Sequence, residues 1–152
     1  MATGGTPEFV RLVPSGGDDI SRTLERSLGI SFHEAEQDKV RRGLQGGATT
    51  PREVDAEHLV RENVAGLIES IRNTLNFYAN AHPGQHISSV VLAGGGSRLA
   101  GLGAVLSRAL GIATTHVDPL DTFTVRRKQH AAGVEKLALE LAAPLGVTVG
   151  GK

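Results

Sequence analysis

A strand that stops at three consecutive glycines is the feature that most limits what this chain can fold into. The apolar run from Ile87 to Ala93 ends at residues 94–96, all glycine, and an amphipathic segment beginning near Leu102 follows. Residues 112–117 are again typical of a strand. A strand, a helix and a strand joined by short connections predict a βαβ unit with parallel strands. The sequence therefore indicates an α/β fold, a layered sheet with flanking helices.

Capping and turn residues divide the rest of the chain into further elements. Ser31 with Glu34 three residues later is a capping box, which predicts the start of a helix. Glycine, threonine and proline predict a flexible loop at about residues 45–52. The remaining predicted elements are a strand from Glu8 to Val13, a helix capped at Asp18 or Asp19 and ended by Gly29, a helix from Ser31 to about Leu44, a long helix from about Asp55 to Ala81, and a last helix containing Val134, Leu137 and Leu141.

The composition excludes several classes of function. The 152 residues suffice for one domain, predicted to be a single lobe over residues 8–150 after a disordered or vector-derived segment of residues 1–7. Lysine plus arginine and aspartate plus glutamate both number 16, so bulk charge does not favour nucleic acid or an anionic membrane as a partner. Cysteine is absent, which excludes disulfides and thiolate catalysis and suits the cytoplasm. No apolar stretch approaches the roughly 20 residues of a membrane span.

The glycine loop at residues 94–96 is a candidate phosphate or ribose site. Glycines let a ligand approach the backbone closely, and a helix N-terminus offers unpaired N–H groups. No lysine follows the glycines, which excludes the Gly-Lys-Ser/Thr phosphate loop. The dinucleotide fingerprint Gly-x-Gly-x-x-Gly fails at Leu99, although Asp118 lies where a ribose-binding acid is expected. A dinucleotide-binding module and a tight turn without any ligand both stay open as alternatives.

Two further features have ordinary explanations when each is taken alone. Glu36 and Lys39 lie three residues apart on one face of the second predicted helix, which is also typical of a surface ion pair. Gly16 and Gly17 are equally consistent with a turn from a strand into a helix. Their significance depends on what lies beside them.

In combination, these segments resemble a known family. They are, in order, Val13-Pro-Ser-Gly-Gly-Asp-Asp-Ile-Ser21, Phe32-His-Glu-Ala-Glu-Gln-Asp-Lys39, Val90-Val-Leu-Ala-Gly-Gly-Gly-Ser-Arg-Leu-Ala-Gly101 and Val117-Asp-Pro-Leu120. The sequence resembles the second lobe of the actin-like ATPases, which has a ribonuclease-H-like fold. Within that superfamily it is most similar to the PilM family of type IV pilus assembly proteins, relatives of the division protein FtsA. The resemblance covers about residues 8–150.

The resemblance implies that this chain carries the adenosine half of an ATP site. A loop rich in N–H donors would face the α-phosphate, a guanidinium would border the adenine, and a carboxylate would accept from ribose hydroxyls. Magnesium would accompany the ATP in the full-length family protein, and no catalytic residue or metal ligand is assigned in this chain. The implied nucleotide-binding residues are Gly94, Gly95, Gly96, Ser97, Arg98, Glu36, Lys39, Gly16 and Gly17.

The differences from the family's sequence pattern predict that this chain carries only half of the ATP-binding cleft. The phosphate loops of the form Asp-x-Gly and the whole first lobe are missing, and Ala100 stands where the family usually has a proline. We therefore expect no ATP hydrolysis and at best weak ATP binding by this chain alone. Its expected partners are the N-terminal lobe and inner-membrane pilus assembly proteins, reached from the cytoplasm without insertion into the membrane. The alternative is a protein-interaction module that binds no nucleotide, whose exposed apolar interface a second copy could cover.

Overall fold

The computed structural model describes residues 1–3 and 6–117. The elements are β1 (Ala2–Thr3), β2 (Thr6–Pro7), α1 (Gly17–Leu28), α2 (Phe32–Arg42), α3 (Pro51–Ala81), β3 (Ser89–Leu92), a short 3₁₀ helix (Gly95–Arg98), α4 (Leu102–Leu110) and β4 (Ala113–His116). The predicted last helix and Asp118 lie outside the described residues.

Strands β3 and β4 pair in parallel around α4, which confirms the predicted βαβ unit. Ser89 lies opposite Ala113 and Leu92 opposite His116. The helix between them ends at Gly111, whose left-handed backbone (φ 68°, ψ 19°) closes the last turn. The α/β class is thus confirmed as helices packed around a small parallel sheet.

The predicted strand from Glu8 to Val13 is wrong. Strands near the N-terminus are instead β1 and β2, which pair antiparallel with Ala2 opposite Pro7. The backbones of Glu8 and Phe9 hydrogen-bond to Met1, but residues 8–13 join no sheet in the described part of the chain. Val10 is 84% exposed and Leu12 is 91% exposed.

Local capping sets the ends of α1 and α2. Helix α1 begins at Gly17, slightly before the predicted cap, because the extended Gly16 is the N-cap residue and donates its N–H to the Asp19 carboxylate at 2.7 Å. Ser31 and Glu34 form the predicted capping box at the start of α2. That helix ends at Arg42, two residues before the predicted Leu44.

Helix α3 begins at Pro51, four residues earlier than predicted. Thr50 is its N-cap and Glu53 accepts from the backbone N–H groups of Thr49 and Thr50 at 2.8 and 3.1 Å. Proline suits the first position of a helix because its missing N–H would have no partner there. Arg42 of α2 forms an ion pair with Glu53, so the same carboxylate joins two helices.

The Glu53 carboxylate makes the stability of this junction depend on pH. Hydrogen bonds from the backbone and hydroxyl of Thr49, with Arg42 and Thr50 assisting, lower its pKa from 4.5 to about 2. Because the pKa is depressed in the folded protein, the stabilisation is full above the unfolded pKa and is lost as pH falls toward 2. We expect Glu53→Gln to lower the melting temperature at pH 7 and the difference from wild type to vanish near pH 2. Calorimetry across this range measures it, with the exposed Glu62→Gln on the same helix as the control. A deficit that stays constant from pH 7 to pH 2 would refute the assignment.

The core lies between α1, α3 and α4. Aliphatic side chains fill it, as expected for a chain with few aromatic residues. Its buried members are Ile20, Leu24, Ala35, Ala56, Val60, Val64, Ile68, Leu102 and Leu106. Within residues 1–3 and 6–117, no helix combines the length and the apolar character needed to cross a membrane.

The N-terminal segment is attached to the far end of α3. The Tyr78 hydroxyl lies within hydrogen-bonding distance of the Glu8 carboxylate and is 2.7 Å from Oε1 of Gln85. The rings of Phe9 and Phe77 have centroids 5.6 Å apart. Although Val10 and Leu12 are exposed, the segment that carries them is therefore held at its N-terminal side.

Candidate functional site

Three segments distant in sequence meet at one place: the start of α1, the middle of α2 and the glycine loop. A Cβ built on Gly17 would lie 4.0 Å from Cα of Gly96, and one built on Gly96 would lie 4.0 Å from N of Gly17. A side chain added at either glycine would therefore be in van der Waals contact with the backbone of the other. Glycine at both positions keeps the space between the helix start and the loop open.

Glu36 and Lys39 form a partly buried polar pair beside this contact. Lys39 Nζ donates to Glu36 Oε2 at 2.6 Å and to the carbonyl oxygen of Gly17 at 3.0 Å. The Lys39 side chain is 10% exposed and that of Glu36 is 39% exposed. This is not an ordinary surface ion pair, because the ammonium also fixes α2 against the first turn of α1.

Ser21 belongs to the same cluster, and the sequence reasoning did not identify it. Its side chain is fully buried and its hydroxyl donates to Glu36 Oε2 at 2.5 Å. Such a short O–H···O⁻ distance is typical of a charge-assisted hydrogen bond. The sequence held one sign of this role: Ser21 lies three residues before Leu24, on the face of α1 that otherwise buries aliphatic side chains.

The cluster keeps Glu36 ionised at neutral pH. Burial raises the pKa of Glu36, whereas hydrogen bonds from Lys39 and Ser21 and the positive charge of Lys39 lower it. The lowering is larger, so the pKa of this carboxyl lies below its usual value. Glu36 is therefore a hydrogen-bond acceptor toward any ligand at neutral pH.

The glycine loop forms a turn of its own before α4 begins. Gly94 has φ 85° and ψ 172°, a conformation that favours glycine, and residues 95–98 then form the 3₁₀ helix. Ser97 is buried, and its hydroxyl donates to the carbonyl oxygen of Gly94 at 2.7 Å. The Ser97 side chain thus holds the turn together.

A backbone contact fixes the loop to the end of α2. The N–H of Leu44 donates to the carbonyl oxygen of Ala100 at 2.8 Å. A Cβ built on Gly43 would lie 2.5 Å from that oxygen, and one built on Gly101 would lie 3.3 Å from Cβ of Leu44. We call residues 43–44 and 100–101 the glycine junction. It sets the separation between the α2 side and the loop side of the site.

These segments enclose a cavity of about 650 Å³. Its volume is in the range of small-molecule sites. The polar part of the lining comes from the start of α1, from Glu36 and Lys39 and from the loop, and much of the remaining lining is aliphatic. The aliphatic side chains lining it include Val64, Leu67, Ile71, Leu92, Leu102 and Leu106.

Eight of the nine predicted site residues line this cavity. They are Gly16, Gly17, Glu36, Lys39, Gly95, Gly96, Ser97 and Arg98. Gly94 is not among the lining residues, and its carbonyl oxygen accepts from the backbone N–H and the hydroxyl of Ser97. Residues that are separated by about 80 positions in sequence therefore share one surface, as the predicted set requires.

A family model described as "Type IV pilus assembly protein PilM" matches residues 4–150. The chain belongs to this family. The match confirms the resemblance that the four sequence segments carry, and it extends across nearly the whole chain. Type IV pilus assembly is accordingly the process in which this family takes part.

A solved structure titled "PilM-PilN type IV pilus biogenesis complex" has a similar fold. It superimposes with a TM-score of 0.79 at 26% sequence identity, over 97% of this chain and 40% of the other. The chain thus spans less than half the length of that relative. Among curated proteins, none matches the chain.

Proposed function

We propose that this chain is the adenosine-binding half of a PilM-type ATP site, a scaffold part that does not hydrolyse ATP alone. The supporting observation is the convergence of Gly16–Gly17, Glu36–Lys39 and residues 95–98 on one cavity. In this proposal the lobe corresponds to the layered, ribonuclease-H-like second lobe of actin-like ATPases. The family membership and the fold similarity support that correspondence.

The two sides of the cavity suit the two ends of an adenosine nucleotide. The partly buried Leu67 and Ile71 of α3 offer an apolar surface for the purine, and Arg98 offers a planar cation that can stack on it. Glu36 supplies an ionised acceptor for ribose hydroxyls. Backbone N–H groups in the glycine loop are donors suited to the α-phosphate, whereas the N–H of Gly16 already donates to the Asp19 carboxylate.

Hydrolysis would need groups from another lobe. The sequence contains no Asp-x-Gly phosphate loop, and the resemblance to actin-like ATPases implies an ATP site that closes between two lobes, with magnesium bound in the full-length protein. This chain would therefore orient adenosine while the other lobe supplies the metal-binding acid. Pilus assembly proteins are the proposed partners, supported by the similar structure being titled a PilM-PilN complex. A peripheral position at the cytoplasmic face of the inner membrane is part of the same proposal.

A second candidate function is a protein-interaction module that does not need nucleotide. The exposed side chains of Val10 and Leu12 favour it, because aliphatic residues that are almost fully exposed are candidates for burial against a partner. Another lobe, or a second copy of the chain, would then cover them. A melting temperature that is insensitive to ATP, together with a dimer in light scattering, would favour this function over nucleotide binding.

The proposal is tested by titrating the ¹⁵N-labelled chain with Mg-ATP and following amide shifts. We expect weak binding, with a dissociation constant near millimolar, and shifts concentrated at the amides of Gly16, Gly17, Gly95 and Gly96. Submicromolar affinity or measurable turnover would contradict the assignment of half a site. If these amides do not shift at ATP concentrations well above millimolar, the nucleotide function is excluded.

Glu36→Gln is expected to weaken ATP binding about tenfold, because a hydrogen bond to an ionised acceptor is worth about 1.5 kcal/mol. Glutamine keeps the size of the side chain and removes its charge. Glu62→Gln makes the same change at an exposed position of α3, outside the cavity lining, and should leave the affinity unchanged. Equal affinities for the two variants would show that Glu36 does not touch the nucleotide.

A further inference from the structure

Ser21 makes a contact that a helical serine does not need for its own hydrogen bonding. A serine inside a helix ordinarily satisfies its hydroxyl with the carbonyl oxygen four residues earlier. Here that distance, to Gly17, is 3.4 Å, whereas the distance to Oε2 of Glu36 on the neighbouring helix is 2.5 Å. The hydroxyl therefore donates to Glu36, fifteen positions away, rather than to the carbonyl oxygen of Gly17 in its own helix.

Both donors around Glu36 bind the same carboxylate oxygen. Ser21 Oγ and Lys39 Nζ reach Oε2 at 2.5 and 2.6 Å. The two donors are themselves buried, with Ser21 at 0% and Lys39 at 8% exposure. Two donors on different helices fix the position of Oε2.

This arrangement leaves the other oxygen for a ligand. Glu36 is partly exposed and lines the cavity, and Oε1 accepts no hydrogen bond from residues 1–3 or 6–117. Since Oε2 is held on the buried side, Oε1 is the atom available to accept from a hydroxyl in the cavity. An acceptor with a fixed position distinguishes a ligand that carries a hydroxyl from one that lacks it.

We infer that Ser21 is a positioning residue that holds Glu36 so that Oε1 selects nucleotides with ribose hydroxyls over nucleotides that lack them. This inference rests on the proposed function, since it concerns the same cavity. Ser21 acts through Glu36 and touches no ligand itself. Removing its hydroxyl leaves Lys39 as the single donor to Oε2 among the residues that the structure describes, and lets the carboxylate rotate.

The test compares ATP with 2′,3′-dideoxy-ATP, by amide-shift titration of wild type, Ser21→Ala and Ser21→Thr. Wild type should prefer ATP about tenfold, the value of one hydrogen bond to a charged acceptor. Ser21→Ala should reduce this preference to about threefold or less, and Ser21→Thr, which keeps the hydroxyl, should retain it. The ratio of the two affinities is insensitive to a general loss of protein stability, because such a loss would lower the affinity for both ligands by the same factor.

A second readout needs no ligand. The ¹³C shift of the Glu36 carboxyl, followed against pH, should show a higher pKa in Ser21→Ala than in wild type, because a donor to the charged form has been removed. An unchanged pKa, or an ATP preference in Ser21→Ala equal to that of wild type, would overturn the role of Ser21 while leaving ATP binding in place. A wild-type chain whose amides do not respond to ATP would instead overturn the proposed function, and this inference with it.

Discussion

Replacing Gly43 by alanine should destabilise the protein by about 3–5 kcal/mol, which combines backbone strain with overpacking. Gly43 has φ 55° and ψ −131°, a backbone conformation that a residue with a Cβ rarely adopts. Its added Cβ would lie 2.5 Å from the carbonyl oxygen of Ala100 and 2.7 Å from the Ala100 Cβ. These are backbone and first side-chain atoms, so a rotamer change cannot relieve the overlap. Urea unfolding followed by circular dichroism gives the free energy of unfolding.

Gly29→Ala is the matched control for this substitution. Gly29 also has a positive φ, 64°, but a Cβ built there would meet no atom within 4 Å. It should therefore carry only the strain of a left-handed residue, about 1 kcal/mol. Equal losses of stability in the two variants would show that the contact with Ala100 is loose. The larger loss at Gly43 would show that the glycine junction is a close contact on which the spacing of the site depends.

Leu24→Ala should cost about 2–5 kcal/mol, the range for a buried leucine replaced by alanine. Leu24 is 0% exposed and is among the largest fully buried side chains in the described part of the chain. It lies on α1 within the cluster that joins this helix to α3 and α4. The substitution removes apolar contact and leaves a cavity that the surrounding side chains fill only in part. Thermal and urea unfolding both measure the loss.

Leu12→Ala removes the same atoms from a side chain that is 91% exposed. Surface substitutions of this kind usually change stability by less than about 0.5 kcal/mol. A loss at Leu12 comparable to that at Leu24 would mean that the N-terminal segment buries Leu12 in solution, for example against a second copy. That result would count for the interaction module described above.

The elements that the sequence predicts well are those determined by neighbouring residues. Ser31 and Glu34 cap α2 through contacts three residues apart, and Gly29 ends α1 through its own backbone conformation. The parallel pairing of β3 and β4 follows from the short connections around α4. Such features depend on local hydrogen bonding and chain geometry, which the order of residues displays directly.

The features that sequence reasoning missed depend on contacts between distant segments. Nothing near Ser21 in the chain indicates that its hydroxyl bonds a carboxylate on the next helix. Likewise, the closeness of Gly43 to Ala100 exists only after α2 and the loop have packed. The error over residues 8–13 has the same origin, since apolar content suggests a strand while pairing decides whether one forms. The eight predicted residues that line the cavity were selected because of a family resemblance rather than periodicity.

The wall made by Ser21, Glu36 and Lys39 is complete before any ligand arrives. Two of its hydrogen bonds join α1 to α2 and one lies within α2, and none of the three involves a residue beyond position 39. The entropic cost of ordering these side chains is therefore incurred when the chain folds. Ligand binding does not incur it a second time. In the proposed nucleotide function, this preorganised wall would lower the entropic cost of binding adenosine, and another lobe would hold the rest of the nucleotide in place.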